Sequence, residues 1–110
     1  LAARANPVPT LIFDEADAGV GGAIAEVIGA LMRRLGQDRQ VLCVTHLPQV
    51  AAQAHQQLKV TRETSASGVV SRVRALARSE RVEEIARMLG GLEITATTRK
   101  HAREMLAQAS

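Results

Sequence analysis

A chain of 110 residues with one Phe and neither Trp nor Tyr holds a single domain whose core must be aliphatic. Its formal net charge of +3 is unevenly spread: residues 1–55 carry four Lys/Arg against five Asp/Glu, residues 56–110 ten against six. The lone Cys43 excludes an internal disulfide and suits a reducing compartment, and no apolar run reaches the roughly 20 residues of a membrane-spanning helix.

The opening LAARANPVP reads as the end of a helix and then a stiff linker, because Pro7 and Pro9 cannot continue a helix. With no initiating Met and no signal peptide, it has the look of a piece of a longer polypeptide. TLIF (10–13) is a continuous apolar run, which predicts a strand buried on both faces of a parallel sheet. DEADAGVGG then breaks the run with acids and glycines. Ile24, Val27, Ile28, Leu31 and Leu35 recur at helical spacing and predict one apolar helix face, stopped by Gly36. QVLCVT predicts a second buried strand, with Cys43 as a buried, inert thiol. Strand, helix, strand in so short a span is a βαβ unit and implies an α/β sheet.

HLPQVAAQA predicts a loop and a short helix. QLKVTRE and VVSRVRAL alternate apolar and polar residues around the turn-forming TSASG, as an antiparallel hairpin does. Ser79 is the expected N-cap of ERVEEIARMLGG, with Val82, Ile85 and Leu89 on one face and Gly90 or Gly91 ending it. A last helix from Thr95 or Thr97 to Ala109 is expected to bury Ala102, Met105, Leu106 and Ala109. No internal repeat or low-complexity segment is present. The basic second half, with Arg62, Arg72, Arg74 and Arg78, has two readings: solvated faces, or a surface that meets phosphate. It contains no aromatic residue to stack on bases, which argues against base reading on single strands.

An apolar strand that ends in Asp-Glu is the Walker B arrangement of P-loop ATPases. Ligands of parallel sheets bind outside the carboxyl ends of the strands, where Asp14 and Glu15 stand. In that reading Asp14 holds Mg²⁺, directly or through water, and Glu15 orients or deprotonates the attacking water. The plainer reading is a loop with two solvated acids capping the next helix. His46 bears on the choice, because it ends the following strand 31 residues after Glu15. Adjacent parallel strands would set it beside the acids, where it suits a sensor donating a hydrogen bond to a γ-phosphate or water. The letters DEAD resemble a helicase motif, but the next strand of those helicases ends in Ser-Ala-Thr, and here it ends in VTHLP.

Strand–Asp-Glu, glycine-bearing turn, helix and strand–His resembles the second half of an ABC-type ATPase head. LIFDEADAGVGG and VLCVTHLPQVAA, followed by a hairpin and ARMLGG, resemble the C-terminal part of the RecN family, bacterial double-strand-break repair ATPases related to the structural-maintenance-of-chromosomes (SMC) proteins. The likeness covers nearly the whole chain, and VTHLPQVA is its most specific element. It implies a partial P-loop NTPase head of α/β class: a βαβ unit over residues 1–55, then a hairpin and two helices over 56–110. It also implies ATP and Mg²⁺ as cofactors, Asp14 as the Walker B aspartate, Glu15 as the catalytic glutamate and His46 as the switch histidine. Asp17 to Gly21 matches the D-loop region, which places Asp17 and Gly19 on the nucleotide side. Many relatives carry Asp where Gly21 stands, so that side chain's contact across a dimer is missing here, and Asp17 is a candidate substitute.

The implied partners are DNA, a second head in an ATP-bound homodimer, and the upstream half of the same polypeptide; the implied place is the bacterial cytoplasm, at the nucleoid, without a membrane. No G-x-x-x-x-G-K-[ST] loop and no Ser-Gly-Gly signature occurs in the sequence, so these residues are not expected to hydrolyse ATP alone. Two alternatives stand beside this reading: an ABC-transporter ATPase subunit, and a non-catalytic DNA-binding or dimerisation module.

Overall fold

The computed structural model of the chain describes residues 10–15, 19–90 and 93–109. The expected linker LAARANPVP, Asp17 and Gly91 lie outside the described residues. In chain order the elements are β1 (Thr10–Asp14), α1 (Gly22–Leu35), β2 (Gln40–Val44), α2 (Pro48–Ala51), β3 (Leu58–Ser65), β4 (Gly68–Ala75), α3 (Arg78–Met88) and α4 (Ala96–Ala109).

β1 and β2 pair in parallel, in a register that sets Thr10 beside Gln40 and Asp14 beside Val44. Helix α1 joins them, so the expected βαβ unit is present. Its burial differs from the expectation. Ile12, Leu42 and Val44 share one face of the sheet and are exposed, Ile12 to 72% and Val44 to 58%. Leu11, Phe13, Val41 and Cys43 share the other face and are half-buried, so Cys43 is not the fully buried thiol expected. Apolar on both faces, such strands need a layer on each side. The described residues cover one face in part and leave the other open.

Helix α1 departs from the expected pattern in the same way. Its buried positions are Ala25 and Gly29, whereas Ile24, Val27 and Leu31 are exposed and Ile28 and Leu35 half-buried. Small residues set the packing because α1 runs close against the segment that includes α2. A Cβ on Gly29 would lie 2.9 Å from Gln53 Cγ and 3.2 Å from the Gln49 carbonyl oxygen. The wide apolar stripe therefore faces away from this contact. Gly36 ends the helix as expected, its N–H donating to the Met32 carbonyl at 2.9 Å.

The hairpin forms in the expected place, with Ser65 paired to Gly68 across a two-residue turn; Gly68 has φ +128°. Leu76 N–H donates to the Gln57 carbonyl at 3.0 Å and extends the ladder past the strand ends. Cross-strand register puts Leu58, Val60, Val69 and Val73 on one face, all exposed. Lys59 and Arg74 lie on the other, toward α3, where Lys59 pairs with Glu84 at 2.9 Å and Arg74 with Glu80.

Helix α3 begins before the expected cap. Ala77 occupies the N-cap and Ser79 is already helical. An Ala side chain cannot cap, so Glu80 closes the end instead: its Oε1 accepts from Ala77 N–H at 2.9 Å. Helix α4 is preceded by Thr95, which exchanges bonds with Thr98: Thr98 N–H donates to Thr95 Oγ1 at 3.2 Å and Thr95 N–H to Thr98 Oγ1 at 2.8 Å. Arg99 Nε joins the two helices by donating to Glu83 at 2.7 Å. The core lies where α2, α3 and α4 meet: Ala51, Ala52, Val82, Ile85, Ala86, Ala102 and Leu106 are buried, with Leu89 and Met105 packed on them. These are the faces expected of α3 and α4.

Candidate functional site

Asp14 is the last residue of β1, and its neighbour on β2 is Val44. Glu15 N–H donates to the Val44 carbonyl at 2.8 Å, which continues the parallel ladder one residue past the strand. That bond holds the Glu15 backbone where the second strand gives way to Thr45 and His46. Leu47 N–H donates to Thr45 Oγ1 at 3.0 Å, a local turn that folds the chain toward α2, whose first residue is Pro48. His46 sits inside that turn. Its Nδ1 lies 3.9 Å from Glu15 Oε1. Two residues 31 apart in sequence thus meet at one edge of the sheet because their strands run in parallel and in register.

The backbone at Glu15 has φ +52°, the left-handed region that non-glycine residues avoid. Residues held this way cluster at functional sites, where the surrounding structure over-determines them. Here the bond to Val44 is that constraint. Gly19, four residues on, has φ +77° and open space around its α-carbon, so the segment after the acids passes through a turn that suits glycine.

The Glu15 and His46 side chains are open to solvent, with 57% and 66% exposure. Asp14 is exposed as well. Among the described residues no cluster of three or more His, Cys, Asp or Glu is arranged to hold a metal by itself. This donor set fits Mg²⁺, which takes one or two carboxylates and completes its shell with water and phosphate oxygens. Asp14 supplies a hard oxygen donor at a strand end and no cation is paired with it among the described contacts. Of the expected site residues, Glu15 and His46 are brought together, and Asp14 precedes Glu15 at the end of β1. Gly19 follows them in the chain, and Asp17 lies outside the described residues.

Over 109 residues the chain is 46% identical to the DNA repair protein RecN of Vibrio cholerae, a match spanning 99% of this chain and 20% of that protein. It is 50% identical over 107 residues to RecN of Streptomyces coelicolor and 44% over 102 to RecN of Bacillus subtilis, covering 97% and 93% of this chain. The chain is RecN-like. It spans about a fifth of the length of these relatives, 18–20%. No protein-family profile matches it. A solved chain from work on ATP-driven dimerization and DNA-stimulated activation of SMC ATPases superposes with a TM-score of 0.64, at 20% identity, over 84% of this chain and 55% of that one. At that identity the superposition speaks for the fold, which the RecN-like chain shares with an SMC ATPase.

One buried group carries no signal in the sequence. Arg81, on α3, is buried, with 9% exposure. Helical periodicity puts it one residue before the apolar Val82, at the edge of the core face, and nothing in the letters separates it from a solvated arginine.

Proposed function

We propose that this chain is the catalytic-carboxylate and sensor half of an ATPase head, in a protein that acts on DNA in double-strand-break repair and recombination. The observation that carries the reading is the meeting of Glu15 and His46 at the carboxyl ends of two parallel strands, directly after Asp14. Asp14 would hold Mg²⁺, directly or through water, and the ion would supply charge neutralisation at the phosphates. Glu15 orients the attacking water and accepts its proton. His46 donates a hydrogen bond toward the same water or the terminal phosphate. At 3.9 Å the two side chains are too far apart to bond directly and close enough to address one water.

Asp17 and Gly19 belong on this reading to the loop that approaches a second head, so the working unit is an ATP-bound pair of heads. The phosphate cradle must come from another part of the protein, because no phosphate-loop sequence is present here. The RecN relatives support the repair role, and the bacterial cytoplasm is the fitting place for it. No helix among the described residues is long and apolar enough to cross a membrane.

Glu15→Gln in the full-length protein tests the assignment. Turnover should fall by roughly 10²–10⁴, the contribution of a positioned base, while ATP still binds. Hydrolysis by that variant at the wild-type rate sinks the base assignment.

A further inference from the structure

Helix α3 carries three glutamates and three arginines, and each glutamate pairs with a cation other than Arg78 and Arg81. Glu80 pairs with Arg74, Glu83 with Arg99, and Glu84 with Lys59 and Arg87. Arg78 and Arg81, one turn apart on α3, have no carboxylate among the described contacts. Arg81 is the buried one. Its Nε donates to Gln57 Oε1 at 3.2 Å, and its Nη2 to the carbonyls of Ala51 and Ala54 at 3.2 and 3.0 Å. All three acceptors are neutral. Arg33, whose Nη1 donates to the Gln53 carbonyl at 2.6 Å, adds a further positive charge nearby. Burial, then the charges of Arg78 and Arg33, push the Arg81 pKa down.

A buried guanidinium beside like charges, with no counter-charge, is an arrangement that an anion would relieve. The space for one is there. A cleft of about 380 Å³ opens between the end of α2 and the start of α3, lined by His55, Gln56, Ala75, Leu76, Arg78 and Arg81. No acidic side chain lines it. It shares no residue with Asp14, Glu15 and His46. Three internal acceptors fix the guanidinium plane through Nε and Nη2 and leave Nη1 without an acceptor among the described contacts, so Nη1 is the donor left for a phosphate, and an exposed second arginine at the rim adds charge where a large ligand would enter.

We propose that Arg78, Arg81 and His55 form a phosphate pocket that takes a backbone phosphate of duplex DNA. The choice of DNA rests on the proposed function. The cleft is open at the surface of the basic half of the chain, and a backbone phosphate needs charge and donors but no stacking aromatics.

Arg81 also ties down the α2 carbonyls, so its removal would disturb the fold. Arg78 is exposed and is the residue to change. In the full-length protein, binding of a fluorescein-labelled DNA duplex is followed by anisotropy across a KCl series. Arg78→Glu should weaken binding about tenfold or more, and Arg78→Ala should lower the salt slope by about 1. Arg103→Glu, an equal charge change outside the cleft, should have a clearly smaller effect. If Arg78→Glu weakens binding no more than Arg103→Glu, the DNA assignment is overturned. Inorganic phosphate is the second probe. The rise in Tm it produces over chloride should be smaller in Arg78→Ala than in wild type. A phosphate effect lost in Arg78→Ala without any change in DNA binding would make the ligand a soluble phosphate and refute DNA. Loss of neither would refute the pocket. Basal ATP turnover of Arg78→Glu should match wild type, and a drop would merge the pocket with the ATP site and overturn it as separate. Should the wild-type protein bind no duplex, the DNA reading fails by itself, and the phosphate melts still decide the pocket.

Discussion

Glu15 adopts φ +52° one residue beyond a strand, and its N–H is committed to Val44. A left-handed conformation costs a non-glycine residue roughly 1–2 kcal/mol, so the carboxylate stands here at some expense of stability. Glu15→Gly should remove that strain and raise the Tm while abolishing turnover, and thermal melts beside steady-state kinetics would check the pair of effects. A side chain with no role at the site would give the first without the second. His46→Ala separates a sensor from a structural histidine. We expect turnover per folded molecule to fall well beyond any change in nucleotide affinity, with little loss of stability because the ring is largely exposed. Normal turnover with a lowered Tm would assign His46 to the scaffold. Asp14→Ala should instead weaken Mg²⁺-dependent nucleotide binding, as read by titration with and without the metal.

At the scale of elements, the hairpin is held to α3 by charge and α1 is held to the segment around α2 by the absence of a side chain. Glu84 is buried and accepts from Arg87 and Lys59. Those contacts, Arg87's hydrogen bonds first, hold its carboxyl below the ordinary value of 4.5. With the folded pKa lower than the unfolded one, the stabilisation is complete above the unfolded value and is lost as pH falls through the folded one. Glu84→Gln should therefore cost about 1–3 kcal/mol at neutral pH. The gap to wild type should close once the pH has dropped below the carboxylate range, and urea midpoints across pH would show it. A gap that stays constant with pH would mean that shape, not charge, matters at this position. Gly29→Val is the matching test for α1. With Gln53 Cγ at 2.9 Å and a backbone oxygen at 3.2 Å from the added Cβ, the helix must move, at about 1–3 kcal/mol. An unchanged urea midpoint would show that the contact is looser than the distances imply.

For the whole molecule, the decisive feature is how much apolar surface the described residues leave open. Ile12, Leu42 and Val44 on the sheet, Ile24, Val27 and Leu31 on α1, and Val60, Val69 and Val73 on the hairpin are all exposed. Patches of this kind mark surfaces that meet other protein, and among the described residues no further strand pairs with the outer edges of the two-stranded sheets. The RecN relatives are about five times longer than this chain. A polypeptide of these 110 residues alone should accordingly self-associate and show no ATP hydrolysis. Light scattering over a concentration series and a Mg²⁺-ATPase assay address the two halves of that expectation. A strict monomer would mean that the patches are closed in solution, and robust hydrolysis would remove the head-segment reading.

Much of this protein is settled by local chemistry. The order of its elements, the two-residue hairpin turn, the buried faces of α3 and α4 and the placement of Asp14, Glu15 and His46 at strand ends all follow from periodicity and turn residues. Such features depend on near neighbours in the chain, which the letters display. Besides the open face of β1 and β2 and the half-buried Cys43, three things do not follow. The α1 stripe predicts the packing face, yet Gly29 and Ala25 make the contact, because close approach rewards small side chains that carry no hydrophobic signal. Ser79 was the expected cap, but Glu80 closes α3 from within, a choice that depends on where the hairpin delivers the chain. The burial of Arg81 came from the convergence of α2, Gln57 and α3, elements up to 30 residues apart. Only the tertiary structure decides which charges lose their water, because burial depends on every element at once.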